Sequence, residues 1–124
     1  EPFRPFAPTV TEEDQFEYFK LKATSPYMLL AANVKEKYRL KLAPITHVDN
    51  TARVQAVSQN NEPFIHNLLT ELKKRIGFPV VLNTSFNVAG QPIVESPLDA
   101  INTFLSTDID VLAIGNCIID KSLM

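Results

Sequence analysis

The clearest pattern of apolar and polar positions lies in the middle of the chain and predicts an amphipathic helix. Five apolar residues recur there at helical spacing: Phe64, Leu68, Leu69, Leu72 and Ile76. Asn61 can cap this helix, Pro63 suits its first turn, and a basic cluster precedes a helix-ending Gly77. The spacing therefore predicts a helix that packs all five apolar side chains against a core.

Shorter apolar runs predict strands. Residues 27–32 have the length of a buried strand, and residues 80–82 predict a central strand. Residues 111–119, interrupted by Gly115, predict one bent strand or two short ones.

An extended segment is also predicted over residues 53–57. Side chains of a strand alternate between its two faces. Val54 and Ala56 should therefore face one way, and Arg53 and Gln55 the other.

Prolines predict both an irregular segment and a helix start. Pro2, Pro5 and Pro8 remove backbone donors, so the first eight residues should form irregular or edge structure. Ser96 is followed by Pro97 and by an acid three positions after the serine, a sequence that favours a capped helix.

Together these elements predict an α/β (α+β) fold, a twisted mixed sheet flanked by helices, in a single domain over residues 1–124. Hydrophobic residues make up 45% of the chain, which supports a packed core and disfavours disorder. The 12 basic and 14 acidic residues disfavour a nucleic-acid binder. No apolar run approaches the roughly 20 residues of a membrane-spanning helix, so no membrane partner is expected.

Two reactive residue types have simple structural interpretations. Cys117 is the only cysteine, which excludes an internal disulfide and favours a reducing, cytoplasmic location. Its apolar surroundings predict a small buried side chain. His66 lies on the polar side of the predicted helix and should face solvent. The chain opens on Glu1 and reads as a segment of a longer protein.

A polar loop directly after the strand at residues 80–82 is a candidate ligand site. Asn83, Ser85 and Asn87 lie where an α/β sheet usually opens its ligand crevice. Amides, hydroxyls and loop N–H groups can hold phosphate oxygens or a purine edge. The same residue types also suit an ordinary turn, which the spacing alone favours.

Residues 47–55 form a second candidate. Arg53 can make bidentate, charge-assisted bonds to phosphate or carboxylate, and its alternative is a surface ion pair with Asp49 or Glu62. His47 with Asp49 could act as a base and its orienting group, but a lone histidine is more often structural.

Several ordered motifs resemble one family, the O-carbamoyltransferases of nodulation-factor, cephamycin and aminoglycoside biosynthesis, in their C-terminal domain. The similar segments are residues 3–8 (FRPFAP), 26–29 (PYML), 47–55 (HVDNTARVQ), 82–87 (LNTSFN), 90–94 (GQPIV) and 97–100 (PLDA). Because these motifs span nearly the whole chain in order, they are more specific than any one of them.

The resemblance implies a YrdC-like domain, similar to threonylcarbamoyl-AMP synthases, that uses ATP and carbamoyl phosphate to make carbamoyl adenylate and release pyrophosphate. A separate N-terminal domain of the sugar-kinase type, carrying its own metal, then moves the carbamoyl group to a substrate hydroxyl. Mg²⁺ is expected to accompany ATP, and no protein-built metal site is expected in this chain.

The resemblance also implies roles for individual residues. Arg53 would hold phosphate oxygens as the catalytic residue, and Asn83 and Ser85 would contact the nucleotide or its acyl phosphate. Arg4, Thr51 and Asn87 are further candidates for the same pocket, while His47 and Asp49 would shape the turn that presents Arg53.

Two departures from the family pattern bear on activity. Asn50 and Gln91 stand where the family usually has glycine and glutamate. The family's domain also begins further upstream with a basic segment, so the isolated chain should bind ATP weakly or not at all and should not turn over. The alternatives are a non-catalytic docking module of a larger enzyme and a threonylcarbamoyl-AMP synthase relative.

Overall fold

The computed structural model describes residues 7–124 as short strands, three α-helices and connecting turns. The strands are β1 Ala7–Thr11, β2 Phe19–Lys20, β3 Ala31–Val34, β4 Thr51–Arg53, β5 Gln55–Val57, β6 Val80–Asn83, β7 Val111–Ile114 and β8 Cys117–Asp120. The helices are α1 Gln15–Tyr18, α2 Pro63–Ile76 and α3 Pro97–Leu105. Short 3₁₀ turns occupy Glu36–Tyr38, Ala43–Ile45 and Lys121–Leu123.

The chain divides into two compact units, which are described separately. The first unit ends at Thr84, and the second runs from Ser85 to Met124. The assignment of residues 1–124 to a single domain stays a prediction.

A mixed three-stranded sheet forms the centre of the first unit, in the order β5-β1-β6. β1 runs parallel to β5 and antiparallel to β6. The register places Thr9 of β1 opposite Gln55 on one side and Val81 on the other, while Asn83 lies opposite Ala7. A second, antiparallel sheet has the order β2-β3-β4. The α/β (α+β) class with a mixed sheet and flanking helices is therefore confirmed.

The positions of β1 and β6 in the sheet are the reverse of those predicted. β1 is the central strand and is buried along its length, although the segment up to Pro8 was expected to be irregular or at an edge. Pro8 is tolerated because its register partner is Leu82, whereas pairing with β5 begins only at Thr9. β6, expected in the centre, is an edge strand within residues 7–124.

The core of the first unit is built from small and β-branched residues around two aromatic rings. Val10, Val34 and Val54 are fully buried, and Phe19 and Tyr18 pack in the same cluster. Burial raises the pKa of the Tyr18 hydroxyl to about 12.

The apolar stripe of α2 is only partly used. Leu69 is fully buried and α2 packs on β1, but Phe64, Leu68 and Ile76 are 72%, 48% and 65% exposed. The prediction that all five apolar residues face the core was wrong, because the helix contacts the sheet along one narrow side. The helix ends as predicted at Gly77, whose φ of 74° is left-handed.

The predicted cap of α2 was also wrong. Glu62 occupies the cap position without a side-chain hydrogen bond. Asn61 lies in the preceding turn, where its backbone N–H donates to Oγ of Ser58 at 3.0 Å. Its side chain is therefore one position too early to cap.

Residues 27–32 do not form one buried strand. Met28 adopts a left-handed φ of 58°, which breaks the extended conformation. β3 consequently begins at Ala31, and Leu29 is 81% exposed.

The second unit contains α3 and a hairpin. Oγ of Ser96 accepts the N–H of Asp99 at 3.1 Å, which confirms the predicted cap. β7 and β8 pair antiparallel around Gly115, whose φ is 56°. Ala100, Phe104 and Leu112 form the buried cluster of this unit.

Cys117 lies on β8 beside the hairpin turn and is exposed, so its predicted burial was wrong. A two-stranded sheet has too few layers to cover both faces. Across the two units, none of the helices formed by residues 7–124 has the length and apolar character needed to span a bilayer.

Candidate functional site

Arg53 lies at the end of β4 with its side chain exposed. Ala52 and Val54 on either side are fully buried, and Ala56 is also buried. The predicted alternation is therefore confirmed, and Arg53 shares the outer face of this segment with Gln55.

Gln55 is the centre of a hydrogen-bond network across the mixed sheet. Its Oε1 accepts from Oγ1 of Thr9 at 3.0 Å and from Nδ2 of Asn83 at 2.7 Å. The register explains this convergence, since Gln55 and Asn83 come from the two strands that flank β1. Three strands are thus joined by side chains on one face.

A weak contact to sulfur accompanies the hydrogen bond from the Asn83 amide to Gln55. Nδ2 of Asn83 lies 3.8 Å from the sulfur of Met28. A thioether can accept a hydrogen bond but cannot donate one, so the NH₂ group of Asn83 suits the position that faces both Met28 and Oε1 of Gln55. The left-handed turn at Met28 brings this sulfur to Asn83.

A cavity of about 290 Å³ opens beside this network, between the sheet and the start of α2. Its polar lining comes from Thr9, Gln55, Glu62 and Asn83. Its apolar lining comes from Val57, Ile65, Val81 and Leu82. Mostly apolar walls with a few placed polar groups are typical of small-molecule sites, and this volume lies near their lower limit.

A tight turn precedes β4. Oδ1 of Asp49 accepts the backbone N–H of Thr51 at 3.0 Å and its hydroxyl at 2.5 Å. These bonds from Thr51 lower the pKa of the Asp49 carboxyl, and the imidazole of His47 at 3.2 Å lowers it further. Asn50 takes the left-handed φ of 66° that the turn requires.

The polar loop is divided between the two units. Asn83 ends β6 in the first unit, while Ser85 and Asn87 belong to the second. Ser85 is exposed. Nδ2 of Asn87 donates to the carbonyls of Val88 and Gln91 at 3.2 and 3.0 Å, so this side chain holds its own turn together. Arg4 lies outside the described residues.

Sequence reasoning did not select three residues of this network. Thr9 belonged to the segment expected to be irregular, and Met28 to the expected buried strand. Gln55 had a usable signal, because the alternation placed it on the same face as Arg53. Its partners could not be known without the register.

His66 is half-buried, so the prediction that it faces solvent was wrong. Its Nε2 lies 2.9 Å from Oε2 of Glu13, and its Nδ1 is buried without a hydrogen-bond partner among residues 7–124. Desolvation raises the pKa of the Glu13 carboxyl, but a backbone hydrogen bond and His66 outweigh it and lower that pKa overall. The pair pins α2 to the loop after β1.

The Carbamoyltransferase C-terminus family matches residues 1–121, and the chain belongs to that family.

Similar proteins agree with this assignment. The chain is 45% identical over 124 residues to nodulation protein NolNO of Sinorhizobium fredii and 44% identical to NolO of Bradyrhizobium diazoefficiens, with 98% of the chain covered in both. It is 34% identical to a 3'-hydroxymethylcephem-O-carbamoyltransferase of Amycolatopsis lactamdurans, with 94% covered. The chain spans only 18%, 23% and 22% of the lengths of these three relatives.

Proposed function

We propose that this chain is the carbamoyl-adenylate-forming part of a carbamoyltransferase. Family membership over residues 1–121 and the likeness to the cephem carbamoyltransferase support the assignment to a carbamoyltransferase. The single observation that carries the proposal is the shared outer face of Arg53 and the Gln55–Asn83 network. The cavity beside that network is lined by Thr9, Gln55 and Asn83 and by the carboxylate of Glu62.

The reaction needs charged and hydrogen-bonding groups in fixed positions more than it needs a nucleophile from the protein. Carbamoyl phosphate, ATP and water give carbamoyl adenylate, pyrophosphate and inorganic phosphate, so phosphorus and oxygen balance. Negative charge grows on the α-phosphate and on the departing pyrophosphate, and fixed cations and donors stabilise such a transition state. Arg53 is the proposed catalytic residue because its guanidinium can bind two phosphate oxygens at once.

Other residues support the proposed ligands. Asn83 and Ser85 are proposed to contact ATP or carbamoyl phosphate, with Arg4, Thr51 and Asn87 as further candidates. The hydrogen bonds of Thr51 and Asn87 within their turns favour a loop-shaping contribution for these two. Mg²⁺ is proposed to enter on the phosphates of ATP, where it usually keeps waters and few protein ligands.

The proposed partner is an N-terminal sugar-kinase-like domain of the same polypeptide, which would transfer the carbamoyl group to a hydroxyl. We place the reaction in the cytoplasm and propose no nucleic-acid or membrane partner. The exposed apolar side of α2, with Phe64 and Ile76, favours a second candidate function, that of a docking module for this domain.

Pyrophosphate release by the complete gene product, supplied with ATP, Mg²⁺ and carbamoyl phosphate, tests the proposal. Arg53→Ala should lower the rate by at least about 100-fold, because a charged hydrogen-bond donor to the transition state is lost. Arg75→Ala removes an exposed arginine of α2 and is the matched control. Circular dichroism should show that both variants keep the fold.

The outcomes separate the candidate functions. Unchanged pyrophosphate release in Arg53→Ala would reject this arginine as catalytic, and an absence of release by the wild type would reject the reaction. Domain association weakened without a change in rate would support the docking module. Product formation that requires threonine would support the threonylcarbamoyl-AMP synthase relative.

A further inference from the structure

Gln55 and Asn83 form a hydrogen-bonded pair of side-chain amides. The two amide atoms outside that bond are a donor, Nε2 of Gln55, and an acceptor, Oδ1 of Asn83. Oε1 of Gln55 accepts two hydrogen bonds, and Nδ2 of Asn83 faces two acceptors. Within residues 7–124, nothing accepts from Nε2 of Gln55 and nothing donates to Oδ1 of Asn83. The pair therefore offers one donor and one acceptor to a ligand.

The adjoining cavity is unsuited to phosphate. Among residues 7–124, the only charged residue in its lining is Glu62, whose carboxylate repels an anion. The remaining walls are apolar or carry neutral polar groups. Such a cavity favours a neutral, planar group that hydrogen-bonds along one edge.

We propose that the Gln55–Asn83 pair binds the neutral planar group of the ligand and that Gln55 is the positioning residue for Asn83. The chemistry required is an N–H donor beside an acceptor, which both the adenine edge of ATP and the carbamoyl group of carbamoyl phosphate carry. This inference rests on the proposed function and assigns the phosphates to Arg53, outside the cavity.

Positioning by Gln55 follows from what its removal would do. Without Oε1 of Gln55, the Asn83 amide loses its 2.7 Å hydrogen bond and can rotate by half a turn. It could then offer NH₂ where Oδ1 stood, and so accept ligands that present an oxygen at that place. Gln55 thus determines which ligand Asn83 selects.

Two variants of the complete gene product test this, with affinities measured by calorimetry for ATP, GTP, carbamoyl phosphate and acetyl phosphate. Gln55→Leu removes both amide atoms, whereas Gln55→Glu keeps an acceptor for Asn83 and loses the donor. Gln59→Leu, at an exposed position, is the matched control. Wild-type pyrophosphate release is measured in parallel, as an independent test of the proposed function.

Gln55→Leu should lower the preference for ATP over GTP, or that for carbamoyl phosphate over acetyl phosphate, about tenfold or more. In the wild type, the less favoured ligand leaves a polar group of the pair unpaired, and in the variant the rotated Asn83 amide removes that penalty. A smaller ratio of ATP affinity to GTP affinity would identify adenine as the bound group, because guanine has an oxygen where adenine has its amino group. A smaller ratio of carbamoyl phosphate affinity to acetyl phosphate affinity would identify the carbamoyl group, because the acetyl group lacks the amino group.

Gln55→Glu should keep both preferences and weaken binding of the selected ligand about tenfold. This variant carries the test if the leucine variant does not fold. Unchanged affinities and preferences in both variants would overturn the inference even if the wild type releases pyrophosphate. Altered preferences without pyrophosphate release would support the inference and reject the proposed function. A wild type that binds none of the four ligands would reject both.

Discussion

Asn83 and Asn87 lie four positions apart in one polar segment but use their side chains in different ways. Asn83 ends an edge strand and bonds to Gln55 from another strand. Asn87 bonds to carbonyls one and four residues further along its own loop. The comparison shows that strand register, and not residue type, decides whether an amide is left available to a ligand.

The units that hold these residues also differ in their cores. Among residues 7–84, nine residues form the buried cluster of the first unit, including Phe19 and Val54. Three form that of the second: Ala100, Phe104 and Leu112. A small cluster depends more strongly on each member, so the second unit should be the easier one to unfold.

Phe104→Ala should have the largest effect on the difference in stability between the two units. The ring is fully buried, and its loss should cost about 3–5 kcal/mol of unfolding free energy. Hydrogen exchange should show lost protection in β7 and β8 with β1 and β3 retained, because the two buried clusters share no residue. Phe64→Ala, at a ring 72% exposed, is the control and should change little. Equal loss of protection in both units would contradict the expected independence of their cores.

Replacing the two asparagines by alanine sharpens their comparison. Asn83→Ala should weaken ligand binding about 10- to 100-fold, because Oδ1 of Asn83 is the proposed acceptor, and should cost no more than about 1 kcal/mol of stability for the lost hydrogen bond to Gln55. Asn87→Ala should instead destabilise the second unit by about 1–2 kcal/mol, since two hydrogen bonds are lost. Calorimetry and urea unfolding measure the two effects. If Asn87→Ala reduces affinity as much as Asn83→Ala without reducing stability, the distinction between the two amides fails.

The smallest expected effect concerns Glu13 in the first unit. Its folded-state pKa is lowered, so the carboxylate contributes stability above the ordinary value of 4.5. That contribution is lost as pH falls through the lower, folded value. Because the Glu13 side chain is 58% exposed, Glu13→Gln should remove no more than about 0.5 kcal/mol.

Urea unfolding from pH 7 down to the acid limit measures this effect, with the exposed neighbour Glu12→Gln as control. The Glu13 variant should lose less stability than the wild type on acidification. Identical pH profiles for the wild type and Glu13→Gln would show that the contact with His66 contributes nothing.

Local signals predicted the elements whose causes are local. The cap at Ser96, the left-handed end at Gly77 and the alternation around Val54 each depend on a few neighbouring residues, and all three are confirmed. The central place of β1 and the exposure of Cys117 depend on which strands pair. Pairing joins distant parts of the chain, so periodicity could not reveal it.

The candidate site divides in the same way. Arg53 and Asn83 could be selected from motifs and residue chemistry, and their roles stay predictions. Gln55 and Thr9 could not be joined to Asn83 before the order β5-β1-β6 was known. Met28 escaped notice because a methionine in a left-handed turn has no sequence signature.

One residue, Val54, separates the strand that ends at Arg53 from the strand that begins at Gln55. Insertion of a single amino acid at this junction would invert every later side chain, turning Gln55 inward and Ala56 outward. Such an insertion would therefore disturb both the buried side of this segment and the side that carries Arg53 and Gln55. The spacing of two residues between Arg53 and Gln55 is therefore required to keep both side chains on the same side of this segment.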